Sequence, residues 1–222
     1  VGVAYGTGEG IDIDLVLAVG IQGGKDINFT ENIVNVDTNG GVGSYPTIDA
    51  VMIHSVDNLL VNLNEISHID TTTSDVPRYY YALDIYNSNA TVENNNILVN
   101  TTSGIVRTGT AYPIQLTGPF TVIVSDNNLT SISRGPNAGI YASNWGGYGD
   151  LTAIGNIIDV TGYATAGGNA LVAAIEAEID VTRVYDNLIF AANLADYDDT
   201  NLVYGVSMTS TFMSGDVIAD IQ

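Results

Sequence analysis

Residues 92–100 read VENNNILVN, three asparagines immediately ahead of a short apolar stretch. Asparagine forms turns well and strands poorly, so one such run would be the tip of a loop. The run is not single. An asparagine ahead of an apolar segment recurs as ENIVNV at Asn32, NEISHI at Asn64, NNILVN at Asn96, NNLTSI at Asn128, GNIIDV at Asn156 and DNLIFA at Asn187, at intervals of 32, 32, 32, 28 and 31 residues. A second marker keeps the same period: a tyrosine opens the next apolar segment at Tyr45, Tyr80, Tyr112, Tyr141 and Tyr204, and only the unit around Val172 lacks it. Two markers sharing one period identify a repeat of about 31 residues.

The contents of each unit select the architecture. Amphipathic helical periodicity is absent, which excludes helical solenoids. Propeller blades need about 40 residues and four antiparallel strands. Short alternating runs such as Ile11, Ile13, Leu15, Leu17 and Val19, separated by Gly, Asn, Asp and Thr clusters, fit two or three strands per unit. The expected fold is all-β, a right-handed parallel β-helix of about seven coils spanning residues 1–222 as one domain, with incomplete coils at both ends. At the strand spacing of about 4.8 Å, seven coils stack to roughly 34 Å.

That geometry gives the asparagines a role. At a corner between two sheets, an inward amide satisfies backbone groups and bonds the asparagine of the turns above and below, so Asn32, Asn64, Asn96, Asn128, Asn156 and Asn187 form an expected ladder. The tyrosines form an expected aromatic row beside it. In VENNNILVN, Asn96 is then the ladder rung, and Ile97 and Val99 point inward.

Composition limits the partners. The 222 residues carry 25 acidic and 5 basic side chains, a formal charge of −20. Nucleic acid and polyanionic substrates are therefore disfavoured, because phosphate binding needs clustered Lys and Arg. Without cysteine there is no disulfide and no thiolate metal site. No apolar run reaches the roughly 18 residues of a helical membrane span, so membrane insertion is not expected.

The Asn-Ile/Leu-centred coils, the Asn/Thr/Asp-rich loops, the scarcity of Lys and the absence of Cys resemble the right-handed parallel β-helix regions of archaeal surface proteins, in particular the adhesin-like and the sheath or wall proteins of methanogens. The resemblance runs from about Ile11 to Met213. It implies an extracellular, cell-surface location and a scaffold in place of chemistry, because the repeated residues are structural. The same fold carries polysaccharide lyases, hydrolases and phage tailspikes.

Those enzymes need acid and base groups on one sheet. The Asp-Asp, Gly-His-Gly and Arg-Ile-Lys elements of polygalacturonases are not complete here, and Lys25, Arg78, Arg107, Arg134 and Arg183 keep no constant place in the repeat. GTGEG at 6–10 lacks the lysine of a phosphate loop. The loop ADYDDTN offers Asp196, Asp198, Asp199 and Asn201 as hard oxygen ligands, which suits calcium, but it lacks the Gly and closing Glu of a calcium loop and reads first as a solvated turn. Strand alternation directs Ile175, Ala177 and Ile179 inward and Glu176, Glu178 and Asp180 outward; it also leaves Val16, Ala18, Ala170, Val172 and Ala174 outward, where lateral packing would bury them. Four Asn-x-Ser/Thr sites, at Asn28, Asn89, Asn100 and Asn128, are about what chance gives.

The terminal stretches IDIDLVLAV and SGDVIADIQ read as uncovered partial coils. They suggest either head-to-tail pairing of columns or a piece of a longer solenoid. The sequence thus points to a non-enzymatic extracellular structural protein with itself as partner, in a layer, sheath, filament or adhesin module, with calcium the one cofactor in view. The alternative is a carbohydrate-binding or carbohydrate-active β-helix, with Tyr80, Tyr86, Tyr112, Tyr141, Trp145 and Tyr148 as faces for neutral surface glycans.

Overall fold

A computed structural model describes residues 15–38, 47–71, 79–101, 110–144, 147–163, 171–194, 202–208 and 218–221. Every described element is a strand, and every pairing is parallel. The chain winds as a parallel β-solenoid whose turns have three faces.

The first face is built from the first halves of β1 (Leu15–Thr30) and β3 (Thr47–Asn62), then β5 (Tyr79–Tyr86), β8 (Ala111–Thr117), β11 (Asn137–Ser143), β14 (Leu171–Glu178) and β17 (Leu202–Met208). The second face holds the remainder of β1 and β3, then β6 (Ala90–Glu93), β9 (Phe120–Ser125), β12 (Gly149–Ile154), β15 (Val181–Tyr185) and β18 (Ile218–Ile221). Because β1 and β3 run unbroken round the corner, these two faces form one 12-stranded sheet. The third face is a separate six-stranded sheet of β2 (Ile33–Thr38), β4 (Glu65–Asp70), β7 (Asn96–Thr101), β10 (Asn128–Ser133), β13 (Ile157–Gly162) and β16 (Leu188–Asn193).

From Ile33, the first residue of β2, to Leu188, the first of β16, is 155 residues in five turns, or 31 per turn. The seven coils expected from the sequence are thus about five complete turns, flanked by partial ones. The period itself agrees with the expected 31.

Alternation along the strands packs the core. On the third face Ile66, Ile97, Leu129 and Ile158 point inward and are fully buried, in register from turn to turn. They meet Val51, Leu83, Ile114, Ile140 and Ile175 of the first face in one continuous apolar cluster. Burying one such side chain contributes about 1.5–3 kcal/mol, so stacked identical positions make the core additive along the axis.

The first face bends in mid-strand. Ladder pairing passes over Ala50, Ala82, Pro113, Gly139 and Ala174, one residue per turn, and the residue after each is also buried. The column is small for a steric reason: a Cβ on Gly139 would lie 2.3 Å from Ile158 Cγ2 and 2.8 Å from the Ala174 carbonyl oxygen. Pro113 is tolerated because its missing N–H is not needed in the ladder.

This bend overturns part of the expected alternation. Val172 and Ala174, expected outward, are fully buried, because the phase shifts by one residue between Ala174 and Ile175. Ala18 occupies the same inward column, between Leu17 and Val19, which pair with Asp49 and Val51. Glu176 and Glu178 keep their outward positions.

Candidate functional site

The ladder is present, one residue away from its expected place in two turns. Its rungs are Asn32, Asn64, Asn95, Asn127, Asn156 and Asn187. In each step the backbone N–H and the side-chain Nδ2 of one asparagine both donate to Oδ1 of the asparagine in the next turn, at 2.8–3.0 Å. The same Nδ2 also donates to strand-end carbonyls, as Asn127 does to Val92 and Ser125, both at 2.9 Å.

Asn96 and Asn128 are not rungs. They are the first residues of β7 and β10, point to solvent and pair with each other in register, Asn128 Nδ2 donating to Asn96 Oδ1 at 3.1 Å. In every turn the rung is followed by one outward residue (Ile33, Glu65, Asn96, Asn128, Ile157 or Leu188) and then by the inward apolar residue.

Each rung is preceded by a residue with positive φ: Glu31, Leu63, Asn94, Asp126, Gly155 and Asp186, between 51° and 68°. That left-handed residue turns the chain sharply enough to aim the rung inward. Asn, Asp and Gly suit this conformation, whereas Glu31 and Leu63 adopt it at a cost.

The aromatic row also differs from expectation. Tyr81, Tyr112 and Tyr141 stack face to face on the outside of the first face, with centroids 5.7 and 4.6 Å apart and planes within 11°. Tyr80 is not in the row: strand alternation turns it inward, where it is buried edge-on to His68 and donates to Asp70. Tyr204 is absent from the row too, since its register neighbour in the preceding turn is Ala173, so no ring lies against it there. Tyr45 lies outside the described residues, as does Trp145. Because the faces of the stacked rings cover one another, the row is a spine along the column.

Buried carboxylates accompany this spine. Asp49 of β3 and Asp84 of β5 point outward from the first face, yet are only 1% and 9% exposed, and one oxygen of each has no hydrogen-bond partner. Burial, reinforced by the neighbouring Asp84 carboxylate, raises Asp49 to about 8, and burial raises Asp84 to about 7. Glu176 of β14, in the same column as Gln115 and Tyr141, is raised to about 7 by burial and by Glu178. The same burial holds the hydroxyls of Tyr81 and Tyr112 well above their ordinary range and pushes Tyr141 up to about 12. Paired carboxylates with raised affinity for protons are the raw material of acid–base chemistry. Here Asp49 and Asp84 are shielded from solvent, whereas Glu176 is half-buried.

A second polar column lies inside the other corner of the third face, at Thr38, Asp70, Thr101 and Ser133. Thr38 donates to Asp70 at 3.1 Å and Thr101 to Ser133 at 3.0 Å. The sequence reading missed it, although the outline -Asp/Thr/Ser at the end of each third-face strand was available at residues 38, 70, 101 and 133. His68, one position inward of this column, is fully buried. Desolvation lowers it to about 4, and the nearby Asp70 and Tyr81 backbone do not offset that.

Among the described residues no group of three or more His, Cys, Asp or Glu side chains is placed to hold a metal ion. The calcium ligands Asp196, Asp198, Asp199 and Asn201 lie outside the described residues. Glu178 and Asp180, expected as free outward acids, are engaged: Tyr141 donates to Glu178 at 3.3 Å, and Asn144 and the Gly149 N–H donate to Asp180 at 2.5 and 2.9 Å.

No helix among the described residues is long and apolar enough to cross a membrane. No family model, curated protein or solved structure matches the chain.

Proposed function

We propose that this is a non-enzymatic, extracellular structural protein, a right-handed parallel β-helix that associates end to end in a surface layer, sheath or filament, or serves as an adhesin module. The hand follows from the strong preference of parallel crossovers for right-handed connection. The observation that carries the reading is the polarity of the asparagine ladder. Every rung from Asn64 to Asn156 accepts at Oδ1 and donates from its own N–H, so the ladder has one direction along the column and each added turn extends it.

In each turn the outward residue after a rung also donates its N–H to the preceding rung's carbonyl, as Leu188 does to Asn156 at 2.8 Å. A head-to-tail contact between such columns is heterologous and does not close, so it propagates. Exposed Ile157, Leu188 and Phe190 on the outside of the last two third-face strands add an apolar patch for lateral packing.

Negative-stain microscopy of the purified 222-residue chain tests this. Filaments or sheets are expected. Strictly monomeric protein at high concentration, with and without calcium, would overturn the proposal.

A further inference from the structure

Where the first face turns into the second, successive corners leave a cleft of about 540 Å³ that crosses five turns, from Gly24 to Tyr148. We infer that this cleft binds a neutral oligosaccharide, lying along the column axis.

The lining is amide and hydroxyl with one aromatic face. Ser55 and Asp57 come from the β3 corner, Asn87 and Asn89 from the β5–β6 corner, Thr121 from β9 and Tyr148 from the residue pair before β12. Tyr148 is 56% exposed, and unlike Tyr81, Tyr112 and Tyr141 it is stacked on no other ring among the described residues. Its free face is available to the C–H surface of a pyranose, which aromatic rings bind well because they are amphipathic.

The two amides of the lining are held differently. Asn87 Oδ1 is buried and has no hydrogen-bond partner, packed against Gly118 so closely that a Cβ there would lie 2.0 Å away. The neighbouring amide Asn89 is already held, its Oδ1 accepting from the Thr121 N–H at 2.9 Å, which leaves its Nδ2 directed to solvent.

Charge selects the ligand class. Among the described residues of the lining Asp57 is the one ionisable carboxylate, and none is a cation. Lys25 is the register neighbour of Asp57 in the adjacent turn, and Arg183, near Tyr148, is already paired with Asp150 at 2.5 Å. Anionic sugars would meet repulsion here. Turns recur at about 4.8 Å, close to the length of one hexose unit in an extended chain, so a trisaccharide spans adjacent corners in step with the repeat. The volume also falls within the roughly 300–1,000 Å³ of pockets that hold small molecules.

Saturation-transfer NMR with maltotriose, cellotriose, mannotriose and trigalacturonate as probes, on the full chain, tests the inference whether or not columns assemble. At least one neutral trisaccharide should show transfer, with Tyr148→Ala weakening it about tenfold, the equivalent of one aromatic contact, and Tyr148→Phe retaining it. Asp57→Ala should leave trigalacturonate no stronger a binder than the neutral sugars. Both positions are exposed, so an unchanged melting temperature verifies folding. Silence from all three neutral sugars, transfer indifferent to Tyr148→Ala, or preference for trigalacturonate would overturn the inference.

Discussion

Asn95 and Asn127 are joined twice, because Oδ1 of Asn127 accepts both the backbone N–H and the side-chain Nδ2 of Asn95, each at 2.9 Å. Asn127 also satisfies the carbonyls of Val92 and Ser125 and donates its own N–H to Asn156. Truncating it would leave several buried polar groups unpaired, each costing about 1–3 kcal/mol. Asn127→Ala should therefore destabilise by at least about 3 kcal/mol. Asn128→Ala, one residue on and exposed, should change stability by less than about 0.5 kcal/mol. Urea denaturation of the two variants checks this; equal effects would place the ladder in the wrong register.

The residue ahead of each rung offers an opposite prediction. Leu63 holds φ at 55° with its side chain 54% exposed, so its left-handed backbone is offset by little burial. The equivalent positions carry Asn94, Asp126, Gly155 and Asp186, residues that tolerate this region. Leu63→Asn should stabilise by about 1 kcal/mol, read as a rise in melting temperature. A fall would mean that Leu63 contributes packing that its exposure does not reveal.

The repeat length, the all-β class, the parallel stacking and the existence of the ladder were legible in the sequence because each recurs turn after turn. The rung's identity was not legible at Asn96 and Asn128, and the reason is chemical. The repeating unit is Asn, then an outward residue, then an inward apolar one. Where the outward residue is itself apolar, as at Ile33, Ile157 and Leu188, the unit reads as asparagine directly before a strand. Applying that reading to NNI and NNL selects the second asparagine. The pair Asn64-Glu65-Ile66 held the correct spacing. Likewise the mid-strand bend hid the spine: strict alternation places Tyr80 and Tyr112 on one footing, but pairing is Tyr81 to Tyr112 and Tyr80 to Ala111. The buried acids Asp49 and Asp84 left only the weak trace of an aspartate between apolar residues, in IDA and LDI.

His68 is one of two polar residues, with Ser131, in a mostly apolar inward column, and Val36 and Val99 are its register neighbours. It is fully buried, and neither ring nitrogen has a partner. Its affinity for protons is lowered to about 4 from the ordinary 6.5. Below pH 6.5 the unfolded chain takes up a proton that the folded chain refuses, so stability present above 6.5 is lost as pH falls towards 4. His68→Val should stabilise by about 1 kcal/mol at neutral pH, by removing orphaned polar atoms, and should flatten this acid limb. Melting curves at pH 4.5, 5.5 and 7 separate the two effects, and an unchanged acid limb would remove His68 as its source.

Asp49 acts with the opposite sign. Its folded affinity for protons is raised to about 8 from 3.8, with desolvation first and the Asp84 carboxylate second as causes. Between those values the unfolded chain has lost its proton while the folded chain keeps it, so stability is greatest at low pH and declines as pH rises through about 8. Asp84 and Glu176, raised to about 7, act in the same direction. Between pH 4 and 6.5 the His68 slope partly cancels theirs, whereas above 6.5 only the carboxylates remain. The melting temperature should accordingly fall from pH 6.5 to 8, each group still protonated in the folded state contributing a slope of about 1.4 kcal/mol per pH unit at most. Asp49→Asn keeps the shape of the side chain and cannot ionise. It should raise stability most at pH 8, raise it less at pH 5 and flatten the slope between 6.5 and 8. A variant that melts lower than the parent at pH 8 would show that ionised Asp49 has a cationic partner on the outer face, since only such a partner makes the charge worth keeping.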